Sequence, residues 1–292
     1  MKKNKWVPLF CAAIFLCFIP MLIGSAKEEE KLDGHEVARR SNFRPGYKKD
    51  ESTALQMKII DAHGKARIRE FIRYQKSFKS GKKTLMKFLY PNDIKDTGTL
   101  NEEVRNKDDI QYLYLPAAKK LRRVSIKKQS WMGSDFNYED LMEEELEDFH
   151  YELIGEDIFD GYECYVYSMI PKSTDKSIYG KQIRWVHKKD YLPTKREIYD
   201  KEGRLLKVIT FTDFRETSIR GVSYAWIIKV ENMQDKHRTE IFRRWIYLDS
   251  GIDSDYLSTR NLEKSVDFYS QPKDLWKIWR AAMAEQPNKT VA

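Results

Sequence analysis

The chain has 292 residues, 53 Lys+Arg against 45 Asp+Glu, a formal net charge of +8 and 13% aromatic residues. That aromatic content excludes a disordered chain, a mean hydropathy of −0.68 excludes a multi-span membrane protein, and three cysteines exclude a disulfide scaffold. A globular protein remains, and its Tyr, Phe and Trp content favours β structure.

The first 26 residues read as a secretory signal peptide. Lys2, Lys3 and Lys5 precede an uncharged, mostly apolar run over residues 6–23, and Gly24-Ser25-Ala26 supplies small residues at a cleavage position. Retention as an N-terminal inner-membrane anchor is the alternative, since the run is marginally long enough to span. Loss of three lysines and no acids leaves a mature charge of +5, and Cys164 remains as a single cysteine, read as a buried small hydrophobe. Export without a disulfide means that the core must hold the fold.

Residues 33–40 can form a short helix. From Met57 the texture becomes strand–turn–strand. Gly64 suits a tight hairpin, Pro91-Asn92-Asp93 and Pro116-Ala117-Ala118 stop strands, and Phe159-Asp160-Gly161 and Asp200-Lys201-Glu202-Gly203 mark further turns. The expected class is mainly β, with some α: about eleven strands with turn signals roughly every ten residues. Several strands are apolar on both faces. Ile110, Tyr112 and Tyr114 oppose Leu113 and Leu115, and Cys164 and Val166 oppose Tyr165 and Tyr167. Such strands need cover on both sides, from a helix, a second sheet or an apolar ligand. Two helices are expected besides. One spans the acidic residues 137–149, whose acids read as a solvated face. The other spans residues 272–283, with Leu275, Ile278, Trp279, Ala282 and Met283 on one side.

Chemistry is sparse. The five histidines, His35, His63, His150, His187 and His237, form no metal-ligand spacing, and no nucleophile elbow, P-loop or dinucleotide fingerprint occurs. Asp61, His63 and Asp213 do not make a convincing triad, because His63 sits in a hairpin turn. No enzyme activity, cofactor or metal is expected. The basic run holds Lys119, Lys120, Arg122, Arg123, Lys127 and Lys128 without an acid. It reads either as a β edge kept soluble by charge or as a contact for an anionic membrane surface or an acidic partner. An exported protein is not expected to meet nucleic acid.

Past this run stands Ser130-Trp131-Met132-Gly133-Ser134-Asp135-Phe136-Asn137-Tyr138-Glu139-Asp140-Leu141. This stretch resembles the signature of outer-membrane lipoprotein-sorting-like (LolA-like) periplasmic proteins. Leu89-Tyr90-Pro91, Tyr112-Leu113-Tyr114-Leu115-Pro116 and Lys120-Leu121-Arg122-Arg123-Val124 look like earlier strands of that family. Gly161-Tyr162-Glu163-Cys164-Tyr165, Tyr199-Asp200-Lys201-Glu202-Gly203 and Thr239-Glu240 look like its second half. The likeness runs over roughly residues 34–264. It implies a strongly curved antiparallel half-barrel over residues 27–269, with helices covering the concave face, followed by an amphipathic tail over 270–292. It further implies a periplasmic, monomeric carrier that holds lipid or lipoprotein acyl chains in a hydrophobic cavity and moves them toward the outer membrane. An inner-membrane exporter of the resistance-nodulation-division type and an outer-membrane acceptor are the implied partners. The candidate lining or lid residues are Tyr112, Tyr114, Trp131, Met132, Phe136, Tyr138, Leu141, Tyr165 and Trp185. For Gly133, Ser134 and Asp135 a scaffolding role is expected. The alternative is a non-catalytic, protein-binding accessory module of an envelope export complex.

Overall fold

The computed structural model describes residues 32–42, 49–104, 109–124, 129–142, 144–217 and 219–265. The signal segment, Lys127, Lys128 and the tail over 270–292 lie outside the described residues. A short helix, α1 (Gly34–Asn42), opens the domain, where the Asp33 carboxylate accepts from the Glu36 N–H at 2.8 Å.

Six strands follow: β1 (Asp50–Ile60), β2 (Ala66–Phe78), β3 (Gly81–Tyr90), β4 (Gly98–Val104), β5 (Ile110–Leu115) and β6 (Lys120–Val124). After a long connection come β7 (Phe149–Phe159), β8 (Tyr162–Pro171), β9 (Lys181–His187), β10 (Pro193–Tyr199), β11 (Leu205–Glu216), β12 (Ser223–Asn232) and β13 (Arg238–Leu248). The count among the described residues is thirteen, against about eleven expected from the turn signals. Asp61 accepts from the N–H groups of His63 at 2.9 Å and Lys65 at 3.0 Å, so His63 belongs to hairpin chemistry.

All thirteen strands join one antiparallel, curved, open sheet in the order β6-β5-β4-β3-β2-β1-β13-β12-β11-β10-β9-β8-β7. The chain thus runs outward from β1 to one edge, crosses to the opposite edge, and returns. Long-range pairing of β1 with β13, for example Met57 with Ile241, joins the two meanders.

Both faces are covered, as the two-faced strands require. One face, called inner here, is crossed by the β6–β7 connection and carries Leu55, Met57, Ile59, Phe71, Met86, Phe88, Ile198, Ile209, Val230 and Ile241 in one apolar cluster. At its β7–β8 end α1 seats Val37 and Ala38 against Tyr167 and Val186. The outer face holds Ala54, Ile72, Tyr74, Leu85, Leu100 and Trp245 under Ile252, Leu257 and Leu262 from the segment after β13. Asp50 anchors that segment by accepting from the N–H groups of Ser250, Gly251 and Ile252 at 2.8, 3.1 and 3.3 Å. It ends in one turn of helix, α2 (Thr259–Leu262). Gly98 admits this cover: a Cβ there would come within 2.7 Å of Leu262 Cδ1 and 2.8 Å of the Met86 carbonyl.

Candidate functional site

The connection between the two edge strands is the family-like stretch itself, and it forms a plug on the inner face. Its first part folds on itself. The Trp131 N–H donates to the Phe136 carbonyl at 2.6 Å, and the Ser134 hydroxyl donates to the Trp131 carbonyl at 2.7 Å. Met132 (φ 53°) and Gly133 (φ 69°) take the left-handed conformation in succession, which makes the turn tight enough to drive Trp131 into the sheet. Trp131 is 1% exposed and packs edge-on to Phe71, with ring centroids 5.2 Å apart, and beside Phe88. Phe136 and Tyr138 are buried in the same cluster, and Met132 and Leu141 pack against it.

Polar side chains hold this apolar plug at its margins. Asp135 accepts from the Thr239 hydroxyl of β13 at 2.6 Å, and its N–H donates back to that oxygen at 3.0 Å. Asp140 receives the Lys207 ammonium of β11 at 2.5 Å and the Tyr179 hydroxyl at 2.7 Å. Lys207 also donates to Asn137 Oδ1 at 3.0 Å and to the Asp135 carbonyl at 3.2 Å. Glu139 accepts from the Ile178 N–H at 2.9 Å and from the Ser177 hydroxyl. Arg69 donates to the Met132 carbonyl, and Arg184 of β9 pairs with Glu144.

These contacts correct the expectation of a solvated acidic helix over residues 137–149. Asn137 and Asp140 form a capping box, with the Asn137 N–H donating to Asp140 at 2.7 Å, but only short 3-10 turns follow, at Tyr138–Leu141 and Leu146–Asp148. A helix would turn most of these acids to water. Here Glu139 binds the β8–β9 connection, Asp140 binds β11 and Glu144 binds β9, which stretches the chain across the face. Burial raises the Glu139 carboxyl despite its hydrogen bonds from Ser177 and Ile178, and burial raises Asp135 against its bond from Thr239. Burial would also raise Glu144, but the charges of Arg184 and Arg196 outweigh it and lower the carboxyl.

The expected lining residues divide among four places. Trp131, Met132, Phe136, Tyr138 and Leu141 come together on the inner face. Tyr165 is on that face too, but at the α1 end, stacked on Tyr191 with centroids 6.0 Å apart. Tyr112 and Tyr114 pair in register with Leu100 and Gly98 and pack against the outer cluster. Trp185 also faces outward, beside Cys164 and Val166. Its indole N–H donates to Asp157 at 2.9 Å, and the Lys195 ammonium sits 4.2 Å from the ring centroid. The basic residues Lys119, Lys120, Arg122 and Arg123 are exposed on or beside β6, one of the two edge strands.

Lys207, Tyr179, Thr239 and Arg184 were not among the expected site residues. Lys207 carried a signal, because a lysine in the apolar run Leu205-Leu206-Lys207-Val208-Ile209 interrupts a core-facing register. Its partner, 67 residues away, was not legible.

Beside the apolar cluster the inner face turns polar. Gln75, Lys82, Thr84, Thr99, Asn101 and Gln111 are all buried there on β2 to β5. Lys82 pairs with Glu103 at 3.1 Å. Thr99 Oγ1, Asn101 Oδ1, Gln111 Oε1 and the indole nitrogen of Trp131 have no hydrogen-bond partner. At the start of β1, Glu51 accepts from the Thr53 hydroxyl at 2.6 Å and pairs with Arg73, with Arg243 at 3.9 Å. Burial would raise Glu51, but the two guanidinium charges and the hydrogen bonds hold it down at about 2.

A family model described as an uncharacterized protein matches residues 80–264. No curated protein matches the chain. Among solved structures, an outer membrane lipoprotein-sorting protein domain from Vibrio parahaemolyticus is similar, with 29% identity and a TM-score of 0.74 over 79% of this chain and 98% of that one. A DUF1329 family protein from Desulfovibrio piger shares 30% identity, with a TM-score of 0.74 over 78% of this chain and 97% of its own. A LolA superfamily protein from Nitrosomonas europaea, at 14% identity and a TM-score of 0.63 over 79% and 99%, shares the fold.

Proposed function

The chain belongs to the DUF1329 family within the LolA-like, outer-membrane lipoprotein-sorting group, and on that premise we propose that it is a periplasmic carrier of lipid or lipoprotein acyl chains. One observation carries this reading: the segment over the apolar inner face is fastened at its margins by polar side chains, while Trp131, Phe136 and Tyr138 occupy the middle. The hydrogen bonds among these contacts contribute about 1–3 kcal/mol each, and both members of the Lys207–Asp140 pair regain water together when the segment lifts, so the margins can release more readily than a continuous apolar weld. Release uncovers Met57, Ile59, Phe71, Phe88, Ile209 and Ile241, an apolar surface on which each buried methylene of an acyl chain contributes about 0.8 kcal/mol. The plug then acts as a gate that the chain displaces and that returns on delivery. The carrier takes its cargo at the inner membrane, beside an exporter of the resistance-nodulation-division type, and passes it to an outer-membrane acceptor. No chemical step is assigned to it.

Lipid extraction and native mass spectrometry of the purified mature protein, with uptake of a fluorescent fatty acid, test the reading. Co-purified lipid and saturable uptake are expected. A protein that carries no lipid and takes up no fatty acid sinks it.

The close packing of Trp131, only 1% exposed, favours a second reading, a non-catalytic module that binds an envelope export complex through its basic edge. Under it, an inner-membrane exporter is retained by the native chain and lost by the Arg122→Glu/Arg123→Glu variant, with no lipid present in either.

A further inference from the structure

We propose that the polar zone beside Trp131 holds the hydroxyl-bearing headgroup of the cargo lipid; this rests on the carrier reading above and names the class of lipid. Asn101 and Gln111 face one another directly across β4 and β5, which sets their Cβ atoms about 5 Å apart. Thr99 precedes Asn101 by two residues, on the same face and about 7 Å along the strand. All three are 3–4% exposed, yet Thr99 Oγ1, Asn101 Oδ1 and Gln111 Oε1 lack partners, as does the Trp131 indole N–H. Buried polar atoms are normally satisfied, and three of these four sit at adjoining positions of β4 and β5, under the segment that carries the fourth.

The chemistry of the three atoms that stay on the sheet selects the ligand. Two amide oxygens accept, and a hydroxyl can accept or donate. An acyl chain satisfies none of them. A bare anion is a poor fit, because the zone offers more acceptors than donors and the neighbouring Lys82 charge is already paired with Glu103 at 3.1 Å. A group with several hydroxyls donates to both amide oxygens and exchanges a hydrogen bond with the Thr99 hydroxyl.

Position agrees with chemistry. Thr99 pairs in register with Met86, a member of the apolar cluster that contains Trp131. Gln111 Nε2 lies 3.3 Å from the sulfur of Met142, so the crossing segment also lies over this zone. A chain lying on Phe71, Phe88 and Met86 would therefore bring its head to Thr99, Asn101 and Gln111. Hydroxyls can come from a sugar or from glycerol, and both share the donor–acceptor pattern.

Displacement of a bound fluorescent fatty acid from the full mature chain tests this. The competitors are monogalactosyl diacylglycerol, phosphatidylglycerol and a 3-O-methyl diacylglycerol with the same chains. At least one hydroxyl-bearing lipid should compete about tenfold more strongly than the methyl-capped one, and the stronger of the two identifies the source. In the Thr99→Val/Asn101→Leu/Gln111→Met variant that preference should vanish, while fatty-acid uptake stays within about twofold of the native protein. Removing orphaned polar atoms should leave the unfolding temperature unchanged or raised. Should the triple variant fail to fold, Asn101→Leu alone should cut the preference at least about threefold. Equal competition by all three lipids overturns the proposal alone, as does a variant that keeps the preference. Absence of fatty-acid uptake in the native protein overturns the carrier reading with it.

Discussion

Lys207 meets Asp140 at 2.5 Å with side chains only 2% and 3% exposed. Breaking a buried pair by removing one member leaves the other charge uncompensated, at a cost of about 3–5 kcal/mol. Lys207→Met should therefore destabilise the fold by that amount in urea denaturation, and adding Asp140→Asn should recover much of it. A double variant no more stable than the single one would show that Asn137 and Tyr179, not the ion pair, hold this point. Glu51 makes a related prediction with pH as the variable. Its folded value of about 2 lies below its ordinary 4.5. It therefore contributes stability above pH 4.5 that is lost as pH falls toward 2, on the order of 3 kcal/mol in all. Glu51→Gln should flatten that acid limb, and at neutral pH it should cost about 3–5 kcal/mol, because the buried Arg243 guanidinium then loses its carboxylate.

The crossing segment is one element in place and two in chemistry. Its aromatic centre is a piece of core, and Trp131→Ala should cost about 3–5 kcal/mol by chemical denaturation. Its margins are hydrogen bonds whose loss should free the segment without unfolding the sheet. Thr239→Val removes the donor to Asp135 and should cost about 1 kcal/mol. Under native conditions amide exchange over residues 131–142 should speed up, while β1 and β13 keep their protection. Uniform acceleration across the sheet would mean that segment and sheet open as one unit. The acidic sequence of this element suggested a solvated helix because helical spacing counts only local neighbours. Ser177, Ile178, Arg184 and Lys207 are distant in the chain, and they decide where Glu139, Glu144 and Asp140 point.

At the scale of the molecule, the sheet's open edges explain its charge. β6 is an edge and carries Lys120, Arg122 and Arg123 exposed, and charge on an edge discourages strand-to-strand aggregation. The Arg122→Glu/Arg123→Glu variant should leave stability within about 0.5 kcal/mol of the native protein.

Much of this architecture was determined by the sequence alone. Period-two alternation and Gly, Pro and Asp turns are local signals, so the strands, the mainly β class and the motif order with its family were legible before any coordinates. The need for cover on both faces was legible too, from Tyr112 against Leu113 and Cys164 against Tyr165. Only the tertiary structure decided which cover lies on which face. The pairing of β1 with β13 sets the inside of each strand, and alternation alone cannot tell one face of a sheet from the other. That register sends Trp131 inward and Tyr112, Tyr114 and Trp185 outward. It gathers Thr99, Asn101 and Gln111 beside the plug, and brings Lys207 to Asp140 across 67 residues.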